Sequence, residues 1–513
     1  MNNKKVSINK SFWFLMVLGL VLQLGTITTQ AAKAKYFTNG NLFYRTISKN
    51  QVEVCGTTAT SGALVIPSKV EYKGVQYTVK GIADNKLYYQ DVAVTEDTTD
   101  GSSVALYYPG ERIYQYERSD KKEMPAKVSS IAGSNISKVV LPGTLSYIGD
   151  GAFNRCWKLK NVVFAKKYKN LSIGKDAFSS TGLKKIAFPQ GTIELKANAT
   201  GMIPEIQIPA SVKKIGPSVV NYKTKKVTIS RKNKKYKMKK GILYTKDEKT
   251  LVGASAAAGN KVTVSSKTTT IGECAFALSK VKEVALTNRV TVIGKGAFAS
   301  CGKLMKVSGM EQVTTIDYAA FKGCVKLQTI GEISNVRTIA RAAFWQDAQL
   351  VLAIHSGMVI DDYAFSGSAN DTCVQVQVPE KDTTYSYVND LLIKTEADKK
   401  TVIMQRKDVE KVVVPEGVTT VAVVLGGLNC KEITLPVTLK EQGGGFYIKE
   451  GSVQFQNSQV PVFQNDFDIH GGRKVKVIVP KGSLDIYKKT MNDIVVKRDD
   501  VDLFWGDMTI AEQ

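Results

Sequence analysis

Histidine is almost missing from this chain: of 513 residues only His355 and His470 are histidine, far apart in sequence. That scarcity removes the commonest general base and metal ligand. No serine or cysteine stands in a motif that would activate it, and no nucleotide loop or metal-ligand spacing occurs. The expectation is a protein that is not an enzyme, with no catalytic residues, metal or cofactor. Carboxylates such as Asp317, Asp361 and Asp362 fall beside a recurrent corner where turn formation accounts for them. Long apolar runs are equally scarce. The single one, Phe12 to Leu24, follows Lys4, Lys5 and Lys10 and precedes small Ala31, Ala32 and Ala34. That is the layout of a signal peptide over 1–32, and nothing after it is long enough to span a bilayer. The first cysteine, Cys55, is too distant for lipidation at the cleavage site, and no sorting tail ends the chain. A secreted or cell-surface location with non-covalent retention follows. Acidic residues are short too: 46 against 71 lysines and arginines, a formal charge of +25, which favours anionic partners. Seven cysteines form neither a disulfide framework nor a zinc pattern.

What the chain does have is a repeat. Ile-x-x-x-Ala-Phe occurs at Ile148–Phe153, Ile173–Phe178, Ile271–Phe276, Ile293–Phe298, Ile316–Phe321, Ile339–Phe344 and Ile360–Phe365. Neighbouring copies lie about 21 to 25 residues apart, the period of leucine-rich repeats. After the Phe, apolar residues continue in steps of three, as in Phe298, Cys301, Leu304 and Val307. The cysteine thus holds a core position as a small hydrophobe. Alternation such as Val162 and Phe164, or Ile186 and Phe188, marks a short strand. One such turn cannot bury its own apolar face, so turns must stack, their strands pairing in parallel as one wall.

The pattern Ile-Gly-x-x-Ala-Phe-x-x-Cys-x-x-Leu-x-x-Val, with Pro after the strand as in Leu141-Pro142 and Phe188-Pro189, resembles the BspA-like leucine-rich-repeat surface proteins. The resemblance implies a β-rich solenoid: a curved right-handed coil with parallel strands on its concave wall and short turns or 3-10 segments opposite. Hairpin interludes and terminal caps complete it. It also implies adhesion, through binding of host extracellular proteins, glycans or other cells.

A second motif punctuates the array. Gly241-Ile242-Leu243-Tyr244 and Leu391-Leu392-Ile393 each open an apolar–charged–apolar stretch that reads as a hairpin, and Asn41-Leu42-Phe43-Tyr44 opens a third. The expected organisation is a signal peptide (1–32), an N-terminal hairpin cap with a tyrosine-rich insertion (33–130) and a first repeat block (131–235). A hairpin with the second block (236–380) follows, then a hairpin with a degenerate third block and C-terminal cap (381–513). Weak turns are expected at Ile193, Ile215 and Val421. Val475 to Val479 followed by Ser483 to Lys489 suggests a last strand and a capping helix.

Three surfaces are candidates for contact. Lys138, Lys185, Lys226, Lys306, Lys411 and Lys474 each precede the central apolar residue of a strand and point out of the wall. They form a solvated face or a column that attracts an acidic protein surface or anionic glycan. Tyr88, Tyr89, Tyr107 and Tyr108 lie in the insertion, where tyrosines pack on the cap or supply a contact surface. Lys225, Arg231, Lys232, Lys234, Lys235, Lys237, Lys239 and Lys240 form the densest basic run, suited to anionic wall polymer or to a solvated connector. Export argues against nucleic acid as a partner. The expected partners are protein or glycan at the cell surface and an anionic wall polymer.

Overall fold

The computed structural model describes residues 36–85, 95–97, 103–105, 128–347, 349–365, 374–463, 469–470, 474–496 and 509–513. The chain winds as a β-solenoid in which each turn places short strands beside those of the turns before and after. Two parallel ladders run along it, where the sequence pattern suggests one wall. The first passes through the isoleucine of the repeat. Ile148, Ile173, Leu195 and Ile215 pair in succession, as do Ile271, Ile293, Ile316, Ile339 and Ile360. The second passes through the strand that follows the Phe, with rungs Ile186–Ile206–Val227 and Val262–Val284–Val307. The apparent corner at Ile is therefore itself a strand, commonly of two residues. Stacked copies supply hydrogen bonds that a lone corner would leave to water. At the weak turn near Ile193 the rung is Leu195, two residues later and so on the same face of the strand.

The backbone explains the spacing from Ile to Phe. Three residues after the rung the chain turns through a left-handed residue in turn after turn: Gly151, Asp176, Asn198, Ser218, Cys274, Gly296, Ala319 and Ala342 all have positive φ. A second left-handed residue follows two after the Phe, as at Arg155, Ser180, Leu278, Ser300 and Gln346. Two such corners fold Ala-Phe inward. The rings of Phe276, Phe298, Phe321 and Phe344 then stack at 5.0, 5.1 and 5.4 Å between centroids, within 6° of parallel. All four are fully buried. A left-handed non-glycine residue costs roughly 1–2 kcal/mol, offset here by burying a ring worth about 1.5–3 kcal/mol in each turn.

The cysteines of the repeat do more than fill space. Cys301 Sγ donates to Phe276 O at 2.9 Å and Cys324 Sγ to Phe298 O at 3.1 Å, each reaching the preceding turn. Cys156 does the same to Ile131 O at 3.2 Å. Each of these carbonyls also accepts a backbone N–H, from Ser279, Cys301 and Ser134 respectively, so the thiol adds a second bond and the cysteine is a polar clamp as well as a small hydrophobe. Burial pushes the Cys156 thiol pKa up.

Each hairpin motif carries a third strand that the sequence pattern missed. Tyr36–Asn39, Tyr236–Lys239 and Tyr385–Val388 pair antiparallel with the strands beginning at Leu42, Ile242 and Leu391. The last strand of each meander then pairs in parallel with the next turn. The leading tyrosine has a purpose in the two internal meanders. Tyr236 Oη accepts from Ile215 N at 3.0 Å and Tyr385 Oη from Ile360 N at 3.1 Å, finishing the ladder of the preceding turns. Alternate residues of the central strand serve different cores. Leu243 packs with the core that begins at Phe37, while Ile242 and Tyr244 pack with the one that runs to Met404. Likewise Leu392 belongs to that second core, and Leu391 and Ile393 to the third. The two-residue period of a strand thus makes each meander a joint.

At the far end Lys474–Val479 leads into helix Leu484–Val496, whose Tyr487 and Met491 cover the third core. Tyr487 Oη donates to Asn457 O at 2.7 Å. One further strand, Thr509–Glu512, pairs in parallel with Lys474–Val479 beyond the helix. Among the described residues the only 3-10 segment is Ala256–Ala258, and no helix is long and apolar enough to cross a membrane.

Candidate binding surfaces

The second ladder carries the lysine positions singled out by sequence, and register shows what surrounds them. Lys185 and Lys226 flank Glu205 on the intervening turn, and Lys306 sits beside Glu283, which faces Lys261 on its other side. Lys261 closes on Glu283 at 2.8 Å and Lys411 on Glu432 at 2.7 Å. Lys474 lies opposite Glu450, and Lys138 between Ala63 and Asn161. All six lysines are exposed. In-register stacking sets equivalent positions about 4.8 Å apart, where like charges repel and opposite charges attract. The face is consequently charge-alternating over most of its length. Sequence reasoning missed Glu205 and Lys261 because register, which pairs them, is not written in any one turn.

The basic run is held in place by specific hydrogen bonds. Buried Asn233 fixes its bend: Nδ2 donates to Pro209 O and Val212 O, both at 3.0 Å, and Oδ1 accepts from Lys235 N and Tyr236 N. Lys237 and Lys239 turn onto Glu248 at 2.7 and 3.0 Å, and the Ser265 hydroxyl also donates to that carboxylate. Those hydrogen bonds, that of Lys237 foremost, hold Glu248 at a pKa of about 2. Lys225, Arg231, Lys232, Lys234, Lys235 and Lys240 remain exposed. The tyrosines Tyr88, Tyr89, Tyr107 and Tyr108 lie outside the described residues, as does the segment 1–32.

A further surface escaped the sequence reading. On successive turns Lys295 lies over the Tyr318 ring at 5.7 Å and Arg341 over the Tyr363 ring at 4.2 Å. Beside them Lys322 sits 4.1 Å from the Trp345 ring, and burial draws its pKa down to about 8. Lys295, Tyr318 and Arg341 each stand two residues after the rung isoleucine, so one column of the repeat alternates cation and aromatic. The corner carboxylates divide. Asp317 and Asp361 accept backbone N–H groups of Tyr318 and Tyr363, the expected turn role, whereas Asp362 pairs with the nearly buried Lys394 at 3.1 Å.

One core position is chemically odd. In the turn after Cys324 the cysteine position holds Asp347, fully buried, its Oδ1 accepting from Cys324 N at 2.7 Å and its Oδ2 unpartnered. Burial raises its pKa well above the ordinary carboxylate range. Among the described residues no group of three or more His, Cys, Asp or Glu side chains is placed to hold a metal.

Residues 127–245 and 255–372 match the profile of the BspA type Leucine rich repeat region, in six copies. No curated protein matches the chain in sequence. Among solved structures the chain is similar to a leucine-rich cell surface protein of Faecalibacterium prausnitzii, at 18% identity, 68% of this chain, 95% of that one and a TM-score of 0.40. A leucine-rich repeat protein of Eubacterium ventriosum is similar at 18% identity, 69% and 98% coverage and a TM-score of 0.36. The pneumococcal vaccine antigen PcpA is similar at 14% identity, 93% and 99% coverage and a TM-score of 0.34. The ladders, the buried Phe column and the matched repeats together make residues 127–245 and 255–372 of this chain a leucine-rich repeat region of the BspA type.

Proposed function

We propose that the chain is an exported, surface-located scaffold that binds other macromolecules in the manner of an adhesin, taking a host extracellular protein, a glycan or another cell as partner. The observation that carries this reading is the pair of in-register ladders. They fix exposed side chains at regular intervals along a rigid coil, so a large partner meets a preorganised surface with little ordering cost. The family's repeats and the signal-peptide layout support the same reading. Its test is saturable binding of the purified chain, residues 33–513, to an array of extracellular-matrix proteins and glycans. Saturable binding to at least one of them is expected; none at any concentration would contradict it.

The basic surplus favours a second reading, a structural envelope protein retained non-covalently on anionic wall polymer. Cell fractionation before and after a high-salt wash separates the two, because charge-held protein is released by salt.

A further inference from the structure

Charge is distributed unevenly along the coil. Residues 131–240 hold 23 lysines and arginines against four acids, whereas residues 241–380 hold 14 against 12 and residues 381–513 hold 18 against 19. Of the 23, all but Lys175 and Lys237 are exposed. In the other two regions bases and acids nearly balance. Here four acids face 23 cations, a self-repulsion that works against the compact state.

Part of this surplus is gathered on one edge, the loops that lead into the second ladder. The loops around 155–161, 179–185, 201–205 and 221–226 stack in that order. Gly182 lies so close to the first that a Cβ there would meet Trp157 O at 2.4 Å. A Cβ on Gly201 would meet Ser179 Cα at 2.6 Å, and Asn221 Nδ2 donates to Gly201 O at 2.7 Å. Three of these loops carry Lys158, Lys160, Lys184, Lys223 and Lys225, all exposed, and the loop 201–205 carries none. Trp157, 66% exposed, lies among them and is the most exposed large apolar side chain described.

We propose that this edge docks a linear phosphodiester-linked sugar or polyol polymer of the cell envelope. The basic residues of 131–240 are 21 lysines and two arginines. Lysine is a compact point charge that binds phosphate without fixing its orientation, whereas planar recognition of carboxylates favours the arginine fork. Such a set suits a repeating, flexible polyanion better than a protein surface, whose contact centre needs aromatic and arginine anchors in an apolar patch. The Trp157 indole adds an apolar face against which a polyol or sugar unit can lie.

The proposal rests on the envelope-retention reading and is tested apart from it by titrating the purified chain with glycerol-phosphate teichoic acid, heparin and duplex DNA across a salt series. The quadruple variant K160Q/K184Q/K223Q/K225Q is compared with K280Q/K282Q/K303Q/K326Q, four exposed lysines of the next region. At low salt the first set is expected to weaken teichoic-acid binding about tenfold or more and to flatten its salt dependence, because each lost phosphate contact releases fewer counterions. The second set is expected to change binding less than about twofold, and Trp157→Ala to weaken it in high salt as well. Equal losses in both sets, no binding of the unaltered chain, or tighter binding of heparin or DNA would overturn the proposal. All eight lysines are exposed, and an unchanged circular dichroism spectrum separates a binding defect from misfolding. If the chain binds the polymer yet stays on cells through a salt wash, the retention reading falls and the edge stands. If salt releases the chain from cells but the purified chain ignores the polymer, retention stands and the edge falls.

Discussion

Residues 271–365 stack five phenylalanines in one column, from Phe276 to Phe365. In residues 148–220 the same position, five after each rung, runs Phe153, Phe178, Thr200 and Val220. The isoleucine ladder is nevertheless continuous through both stretches. Thr200 is fully buried and its hydroxyl donates to Val219 O at 2.7 Å, so a hydrogen bond stands where a ring stack would. The left-handed corners persist as well, at Asn198 and Ser218 in the weak turns and at Gly296 and Ala319 in the strong ones. Comparison of the two regions teaches that rungs and corners define the turn, while phenylalanine strengthens it.

The sharpest way to break that comparison is to remove the ring. Phe321→Ala, with a stacked ring on either side, is expected to cost about 3–5 kcal/mol, read as faster amide exchange at the rungs Ile316 and Ile339. Thr200→Ala is expected to cost about 1 kcal/mol; an equal loss at both positions would mean that the strong and weak turns do not differ as described. A close approach between neighbouring turns can be attacked next. Gly191 has φ +92, and a Cβ there would fall 1.9 Å from Tyr168 O, so Gly191→Ala is expected to cost more than about 2 kcal/mol by denaturant unfolding.

Asp347 offers the opposite test, a gain. Its folded pKa lies well above the ordinary 3.8. Between those values the unfolded chain loses a proton that the folded chain keeps, so stability falls as pH rises above about 4. Asp347→Cys, which restores the residue found in the two preceding turns, is expected to add about 1–3 kcal/mol at neutral pH and to flatten that slope. A variant no more stable than the parent at pH 8 would contradict the account of a buried acid with a stranded oxygen. The smallest effect belongs to the joint between the regions. Glu248 titrates at about 2 against an ordinary 4.5, so its contribution is complete above pH 4.5 and lost as pH falls toward 2. Glu248→Gln is expected to lower the melting temperature at pH 7 and to leave it unchanged near pH 2.

Much of the fold was legible because stacking turns repetition into pattern. Seven copies of Ile-x-x-x-Ala-Phe located the inward corner, and the hairpin motif located Ile242 and Leu391. What stayed hidden depends on register. A glutamate beside each of several lysines, the leading tyrosines Tyr236 and Tyr385 that finish a ladder, and the cation–aromatic contacts of Lys295 with Tyr318 and of Arg341 with Tyr363 are relations between turns. No single repeat contains them. The first ladder, through Ile, was hidden for another reason: a two-residue strand carries no alternation to read. The candidate surfaces were legible as composition only. A run of lysines announced itself, but Asn233 locking its bend and Glu248 pairing with two of its charges are contacts that the run itself does not spell out.

The most direct test of the functional account uses cells that make this protein and a matched strain from which its gene is deleted, both allowed to attach to the matrix protein or glycan that the purified chain binds. The account predicts that deletion lowers attachment and that excess purified chain blocks the parent to the same level. Attachment unchanged by deletion and by the competing chain would contradict it.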